Sequence, residues 1–498
     1  MICVALIRLA INQLQSIKPM TYRFAPFSLR LLLLLTLFAG CKISQPSAER
    51  TPSQSVAYVI KNVNIIPMTA QDNIIRNATV LVKHNKIISI NEAIPDQATT
   101  IDGTGKWLLP GLIDMHVHNL ADINFSANYP TKGATLFTDT EDFMLLYLAN
   151  GVTSVLELSA RAEHVGQRNE IIKGKVIGPR IALAFLVDGG EEGSGNIANT
   201  PEEGRQTVRL AKAQGYEFIK VYAGLNIATF KAIVDEAAKQ GTKVIGHIPN
   251  AFRGRLEEAF VPNFSMVAHA EEFSKQSREL SDEDAQCFAQ LAKKNGTWLT
   301  PTLTTMEWIA RQTHSLEELR QLPSLKYVHP LMQSKWLYAN HYNRETDPKR
   351  IARIDRMVDF HLQLVKAFKA EGVPMVAGTD AGVSGLVWGF SLYDELELLV
   401  KAGLSTEEAL AAATCMPATW LGIGDKIGTV EVGKFADLIL LDANPLDDIR
   451  NTKKIAGVFV NGRWVSRQQI DRMLLALEKK NAANLGKDEF DWKKRKDH

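Results

Sequence analysis

The chain has 498 residues, 46% of them hydrophobic and 22% charged, with a formal net charge of +2. That length accommodates a barrel-sized domain and a smaller one, while that charge gives no field of the strength nucleic-acid binders use and no motif of that kind occurs, so the expected partner is a small molecule. Only 4 cysteines are present, two of them (Cys3 and Cys41) near the start, which excludes a disulfide framework, and homo-oligomerisation is left open.

In chain order, Arg23 and Arg30 flank the entry to an apolar run from Leu31 to Gly40 that is too short to span a bilayer, so residues 1–40 read as a signal peptide. Met20 is a second candidate start. The run ends Phe38-Ala39-Gly40-Cys41, which resembles a bacterial lipoprotein lipobox. Cys41 would then carry the lipid, residues 41–55 would form a polar tether, and the protein would be anchored to the membrane of the bacterial cell envelope, facing the periplasm or the exterior. Cys287 and Cys415 are expected to be buried small apolar residues.

Residues 56–112 show short strands and turns, such as Val59 to Ile66 and Ala78 to Val82, and residues 424–467 return to the same style with Gly428 to Asp442 and Ile455 to Arg463. Asn461-Gly462 is a hairpin signal. The two pieces are expected to combine into one small β-sandwich built from both chain ends. Between them, over residues 113–423, apolar runs alternate with helical patterns, which argues for an α/β fold with a parallel sheet and crossover helices. The first strand is the apolar run Leu108 to His118, and the others are Val152 to Leu158, Ile181 to Val187, Phe218 to Tyr222, Lys243 to Ile248, Ser265 to His269, Trp298 to Leu303 and Val373 to Thr379. Asn226 is a candidate N-cap for a helix closed by Gly241, and Ser405-Thr406-Glu407-Glu408 is a capping box. Residues 306–371 read as a helical insertion near the barrel mouth, and residues 468–498 as a C-terminal helix and a solvated charged tail.

The chemistry collects at strand ends. His116 and His118, at i and i+2, point to one side of a strand. Lys220 lies in Phe218-Ile219-Lys220-Val221-Tyr222, and His247 and His269 end the next two strands at intervals of 27 and 22 residues, the spacing of consecutive βα units. Asp380 follows the last strand between glycine-flanked turns, in Ala377-Gly378-Thr379-Asp380-Ala381-Gly382. One buried histidine is ordinarily a core residue, but a set of strand-end histidines with a strand-end aspartate shares no such explanation.

The motifs HVH, the lysine strand, GHIP, HAEE and AGTDAG, with the late segment GTVEVGKFADLILLDANPLDDI, resemble the amidohydrolase superfamily over about Val56 to Val465. The nearest branch is that of imidazolonepropionase-like enzymes and metal-dependent Xaa-Pro and Xaa-Arg dipeptidases. The resemblance implies a (β/α)8 TIM-type barrel with a β-sandwich and a centre of two divalent metal ions, usually zinc. By the same resemblance His116, His118 and Asp380 would bind one metal, His247 and His269 the other, and Lys220 would bridge them as a carbamate, N6-carboxylysine. An ammonium has no lone pair, so lysine can ligate only after such a change; the competing reading is a Lys220 salt bridge. Two metals would lower the pKa of a bridging water toward neutrality, and Asp380 would shuttle the proton from that hydroxide-forming step to a leaving amine.

The implied reaction is hydrolysis of a C–N bond in a small substrate such as a dipeptide or an N-acyl amino acid. Opening of a cyclic amide or lactone uses the same groups, and a lipid-anchored binding protein without chemistry is the non-enzymatic alternative. Relatives in this branch often carry a histidine at the third strand end, where this chain reads Asp188-Gly189-Gly190-Glu191-Glu192. Tyr222 and Arg253 are candidate grips for a substrate carboxylate, while Asp188, Glu191 and Glu192 would suit a cationic substrate such as an arginyl dipeptide.

Overall fold

The computed structural model describes residues 57–69, 74–92, 97–119, 121–123, 134–136, 140–191 and 193–486. The expected signal peptide, Cys41, the expected tether and the basic end of the chain lie outside the described residues. Among the described residues no helix is long and apolar enough to cross a membrane.

Seven strands pair in parallel and in sequence order: Leu112–Val117, Val152–Ala160, Arg180–Asp188, Phe218–Val221, Val244–Gly246, Phe264–Ala268 and Trp298–Thr300. They are short, mostly apolar and buried on both faces, as strands covered by crossover helices must be. The eighth position, Val373 to Thr379, makes no continuous strand, because Pro374 removes a ladder donor. It still closes the ring. Leu299 N–H donates to the Pro374 carbonyl (3.1 Å) and Val376 N–H to that of Leu299 (3.0 Å), while on the other side Met115 N–H donates to Ala377 (3.0 Å) and Asp380 N–H to His116 (2.8 Å). Ile113, Leu156, Phe218, Ile245, Met266 and Val376, drawn from around this ring, pack together as its interior. Burying each such side chain contributes about 1.5–3 kcal/mol.

The two chain ends build one mixed sheet of eight strands round a separate apolar core that includes Ile60, Val63, Leu438 and Phe459. Trp107–Pro110 joins them, pairing in parallel with Ala57–Ile65 and antiparallel with Leu438–Leu441. The Ile455–Val460 and Arg463–Ser466 hairpin turns at Asn461 (φ 48) and Gly462 (φ 75), the left-handed pair that a two-residue type I′ turn requires. The Asn226 side chain caps the helix Ile227–Lys239, and Ser405 and Glu408 form a capping box on Thr406–Ala412. Between Leu303 and Ala370 the chain is helical in pieces, ending in the helix Pro348–Ala370.

Two expectations are corrected. Cys287 is exposed on the helix Asp282–Asn295 and Cys415 is half-buried at the start of Cys415–Leu421, so neither is a buried core residue, and neither forms a disulfide. The run Leu108 to His118 is two strands: Trp107–Pro110 belongs to the mixed sheet, and Leu112–Val117 to the barrel. Gly111 is the junction. Its N–H donates to Asp437 (2.8 Å), and a Cβ there would stand 2.1 Å from Thr153 Oγ1. Gly111→Ala should therefore destabilise the fold by about 1–3 kcal/mol, the ordinary cost of overpacking, with part recovered by Thr153→Ala. An unchanged urea midpoint in Gly111→Ala would contradict this packing.

Candidate metal centre

The mouth of the barrel gathers five of the six expected donors through direct contacts. His116 Nε2 and His118 Nε2 lie 3.2 Å and 2.9 Å from the same oxygen, Oδ1 of Asp380. The His116 ring is 4.5 Å from that of His269, which is 4.8 Å from that of His247. Nδ1 of His247 meets Glu272 Oε1 at 2.6 Å and Nδ1 of His269 meets Thr302 Oγ1 at 2.7 Å, so each imidazole is braced on one nitrogen. Lys220 lies in the Phe218–Val221 strand, which pairs with the strand leading to His247; it is 2% exposed, its charge is felt by His116, His247 and His269, and its amine makes no hydrogen bond or ion pair with any described residue.

Reaching one point from five strand ends takes local departures from regular backbone. The first strand changes pairing register between Asp114 and Val117, so that Ile113 and Met115 face the barrel interior while His116 and His118 both reach Asp380. Met266 and Ala268 face inward on their strand, so alternation would send His269 outward, but His269 adopts φ 76 and its ring turns in. Asp380 is left-handed too, at φ 58. Asp114 fastens the closure: its Oδ1 accepts N–H from His116 (3.2 Å) and Thr379 (3.0 Å), and its Oδ2 accepts the Thr379 hydroxyl (2.7 Å).

Electrostatics follow from this crowding. Burial lowers His116 to about 3 and also lowers His247 and His269, leaving three neutral imidazoles. Burial opposes charge on His118, yet its hydrogen bond to Asp380 and the nearby carboxylate of Glu157 carry it up to about 10. Burial likewise would raise Asp380, but His116 and His118 outweigh it and hold the carboxylate well below its usual range. Burial lowers the Lys220 amine to about 8.

The other candidates fall unequally. Tyr222 lies with its ring edge-on to His247 at 4.2 Å, half-buried and without a hydroxyl partner among the described residues. Arg253 is exposed, just past the short turn Asn250–Phe252, and the structure does not bring it into the cluster. Asp188 is not free to meet a cation: its carboxylate accepts N–H from Gly189, Ser194 and Gly224, each at 2.8 Å, and braces its own loop. Glu191 is exposed and Glu192 lies outside the described residues. Sequence reading missed Glu157, Glu272 and Thr302, although a lone carboxylate inside the apolar strand Val152–Ala160 was a visible signal.

The amidohydrolase family model matches residues 107–465. The chain belongs to the amidohydrolase family. Among characterised relatives, imidazolonepropionase of Thermoplasma volcanium is 23% identical over 410 residues, 78% of this chain and 91% of that protein. Ochratoxinase of Aspergillus niger is 25% identical over 410 residues, 72% of this chain and 75% of its own. A solved Xaa-Pro dipeptidase with bound methionine superposes with TM-score 0.62 at 21% identity, covering 82% of this chain and 100% of the other, a likeness of fold. This amidohydrolase is thus a hydrolase of C–N bonds. The superfamily typically binds divalent metals, and the donors fit one: His116, His118 and Asp380 offer atoms within 4.8 Å of one another.

Glu395 supports the wall behind His269. Its buried carboxyl accepts N–H from Leu303 (3.1 Å) and Thr304 (2.9 Å), next to Thr302, and burial raises it to about 8. A raised carboxyl favours the fold while protonated, so its contribution is complete below the ordinary glutamate pKa of about 4.3 and is lost as pH rises through the folded value. The stability difference between wild type and Glu395→Gln should therefore shift against wild type between pH 5 and 8, read from urea midpoints of the metal-free protein; a difference independent of pH would contradict it.

Proposed function

We propose that this amidohydrolase cleaves the C–N bond of a small linear substrate, a dipeptide or an N-acyl amino acid, at a centre of two divalent ions, zinc by the chemistry of the donors. His116, His118 and Asp380 would hold one ion, His247 and His269 the other, with Lys220 between them. The observation that carries this reading is Lys220 itself: a lysine is almost never fully buried without a bonded partner, and this one makes no hydrogen bond or ion pair among the described residues, the carboxylates of Asp380 and Glu272 acting on it only from beyond contact distance, which favours a bridging role over a salt bridge.

A lowered pKa provides the neutral amine that adds carbon dioxide; a new N–C bond forms, one proton leaves, and Lys220 becomes an anionic carbamate with two oxygens. Bound metal supplies a Lewis acid for the scissile carbonyl and lowers the pKa of water toward neutrality. The chain does the rest. Asp380, anchored by two imidazoles, accepts the proton of the attacking water on its carboxylate and returns it to the leaving nitrogen. Glu272 and Thr302 hold His247 and His269 in one ring orientation. Tyr222, whose ring lies against His247 and whose hydroxyl has no partner among the described residues, and Arg253, on the loop after His247, are the proposed contacts for a substrate carboxylate. Similarity to an imidazolonepropionase favours opening of a cyclic amide as the second reading. The place of action we propose is the cell envelope, on the lipobox-like Phe38 to Cys41.

Lys220→Ala should lose bound metal and turnover together; full metal content in that variant would return Lys220 to a structural role. Asp380→Asn keeps an oxygen but not the shuttle, and kcat should fall by roughly 10²–10⁴-fold on whichever substrate wild type accepts. A panel of dipeptides, N-acyl amino acids and cyclic amides selects between the two readings: turnover confined to cyclic amides contradicts the linear one.

A further inference from the structure

Behind His118 the barrel wall holds a buried polar cage that lies outside the six-residue donor set. Glu157, in the strand Val152–Ala160, pairs in register with Val117 and is fully buried. Its Oε2 accepts the Asn119 N–H at 2.6 Å and its Oε1 accepts the Ser159 N–H at 2.8 Å. Oε1 also stands 3.6 Å from Nδ1 of His118, and Oε2 stands 3.3 Å from Nε2 of His164, a buried residue of the helix Ala162–Ile172. Asn119 is itself held, its Oδ1 accepting the Tyr147 hydroxyl at 2.8 Å.

One backbone group sets the protons of this cage. Arg161 N–H donates to Nδ1 of His164 at 2.9 Å, so that nitrogen presents a lone pair and a neutral His164 carries its proton on Nε2, the atom facing Glu157. Glu157 is thus bonded by the N–H groups of Asn119 and Ser159 and faced by the His164 Nε2 at 3.3 Å, a contact short of hydrogen-bond geometry, and the nitrogen of His118 that faces it is Nδ1. With one proton kept on Nδ1, the nitrogen His118 would turn to an ion is Nε2, which in the metal-free chain bonds Asp380 at 2.9 Å and would give up that proton on binding. An apolar residue at position 157 would spare the desolvation of a buried charge, and replacing buried ions by apolar groups is commonly neutral or stabilising, so stability alone does not account for this carboxylate. The parallel pairs His247 with Glu272 and His269 with Thr302 brace the same nitrogen, Nδ1, in each ring.

We infer that Glu157 is a positioning residue that fixes the tautomer and ring orientation of His118, and that His164 holds Glu157 in place. This rests on His118 being a metal ligand as proposed above.

The test uses the full chain. Zinc affinity is read by competition with a chromophoric chelator, and the His164 ring by long-range ¹⁵N–¹H correlation in metal-free protein. Glu157→Gln keeps the volume and should weaken zinc binding roughly 10–100-fold with kcat lowered, KM little changed and the unfolding midpoint close to wild type. His164→Ala should weaken zinc by about tenfold, and His164→Gln, which retains a side-chain N–H, should restore most of it. In wild type the His164 proton should sit on Nε2. Zinc affinity of Glu157→Gln within about twofold of wild type overturns the proposal, as does a His164 proton on Nδ1. Should wild type bind no zinc, the metal reading falls and with it the role assigned to Glu157, while a proton on Nε2 of His164 would still support the pairing of His164 with Glu157.

Discussion

Asp380 closes the barrel and builds the candidate site with the same few atoms. Its N–H donates to the His116 carbonyl, joining the last segment of the ring to the first strand, and its Oδ1 then stands beside the imidazoles of both His116 and His118. Asp114 locks the arrangement by accepting from His116 and Thr379 across the same seam. Since Pro374 prevents a regular eighth strand, this seam depends on scattered hydrogen bonds rather than a full ladder. Geometry at the donors is therefore coupled to closure of the fold: one cannot relax without the other.

Such convergence has a conformational cost. Asp380, His269 and Thr302 all adopt positive φ, which disfavours non-glycine residues by on the order of 1–3 kcal/mol each. Each of the three either contributes to the cluster or holds a residue that does, and each is fixed from outside: Asp380 by the first strand, His269 by Thr302, and the segment after Thr302 by Glu395. Strain concentrated there, in a chain whose regular elements follow ordinary caps and turns, fits a site shaped for chemistry.

Much of this was legible in the sequence. Alternation along Phe218 to Tyr222 and Lys243 to Ile248 places Lys220 and His247 on the inward face with Phe218 and Ile245, and the family resemblance is carried by residues whose local order survives in the fold. His269 was found by type rather than by pattern, because simple alternation points it the wrong way and only a left-handed backbone turns it in. The break at Gly111 was hidden since both halves of that run are apolar, and only the approach of Thr153 explains the glycine. Glu157, Glu272 and Thr302 face the candidate donors from elsewhere in the fold, information that lies in register and not in any one stretch of chain. Asp188 shows the reverse: an acidic residue that looked available for substrate is consumed by three backbone N–H groups of its own surroundings.

The central claim is that the donors hold two metal ions with a carbamylated Lys220 between them. Crystals of the zinc-loaded chain measured at the zinc absorption edge test it most directly. Two anomalous peaks are expected, one among His116, His118 and Asp380 and one beside His247 and His269, with density extending from the Lys220 amine toward both. An absence of peaks at these residues, or a bare Lys220 amine paired with a carboxylate, would contradict it.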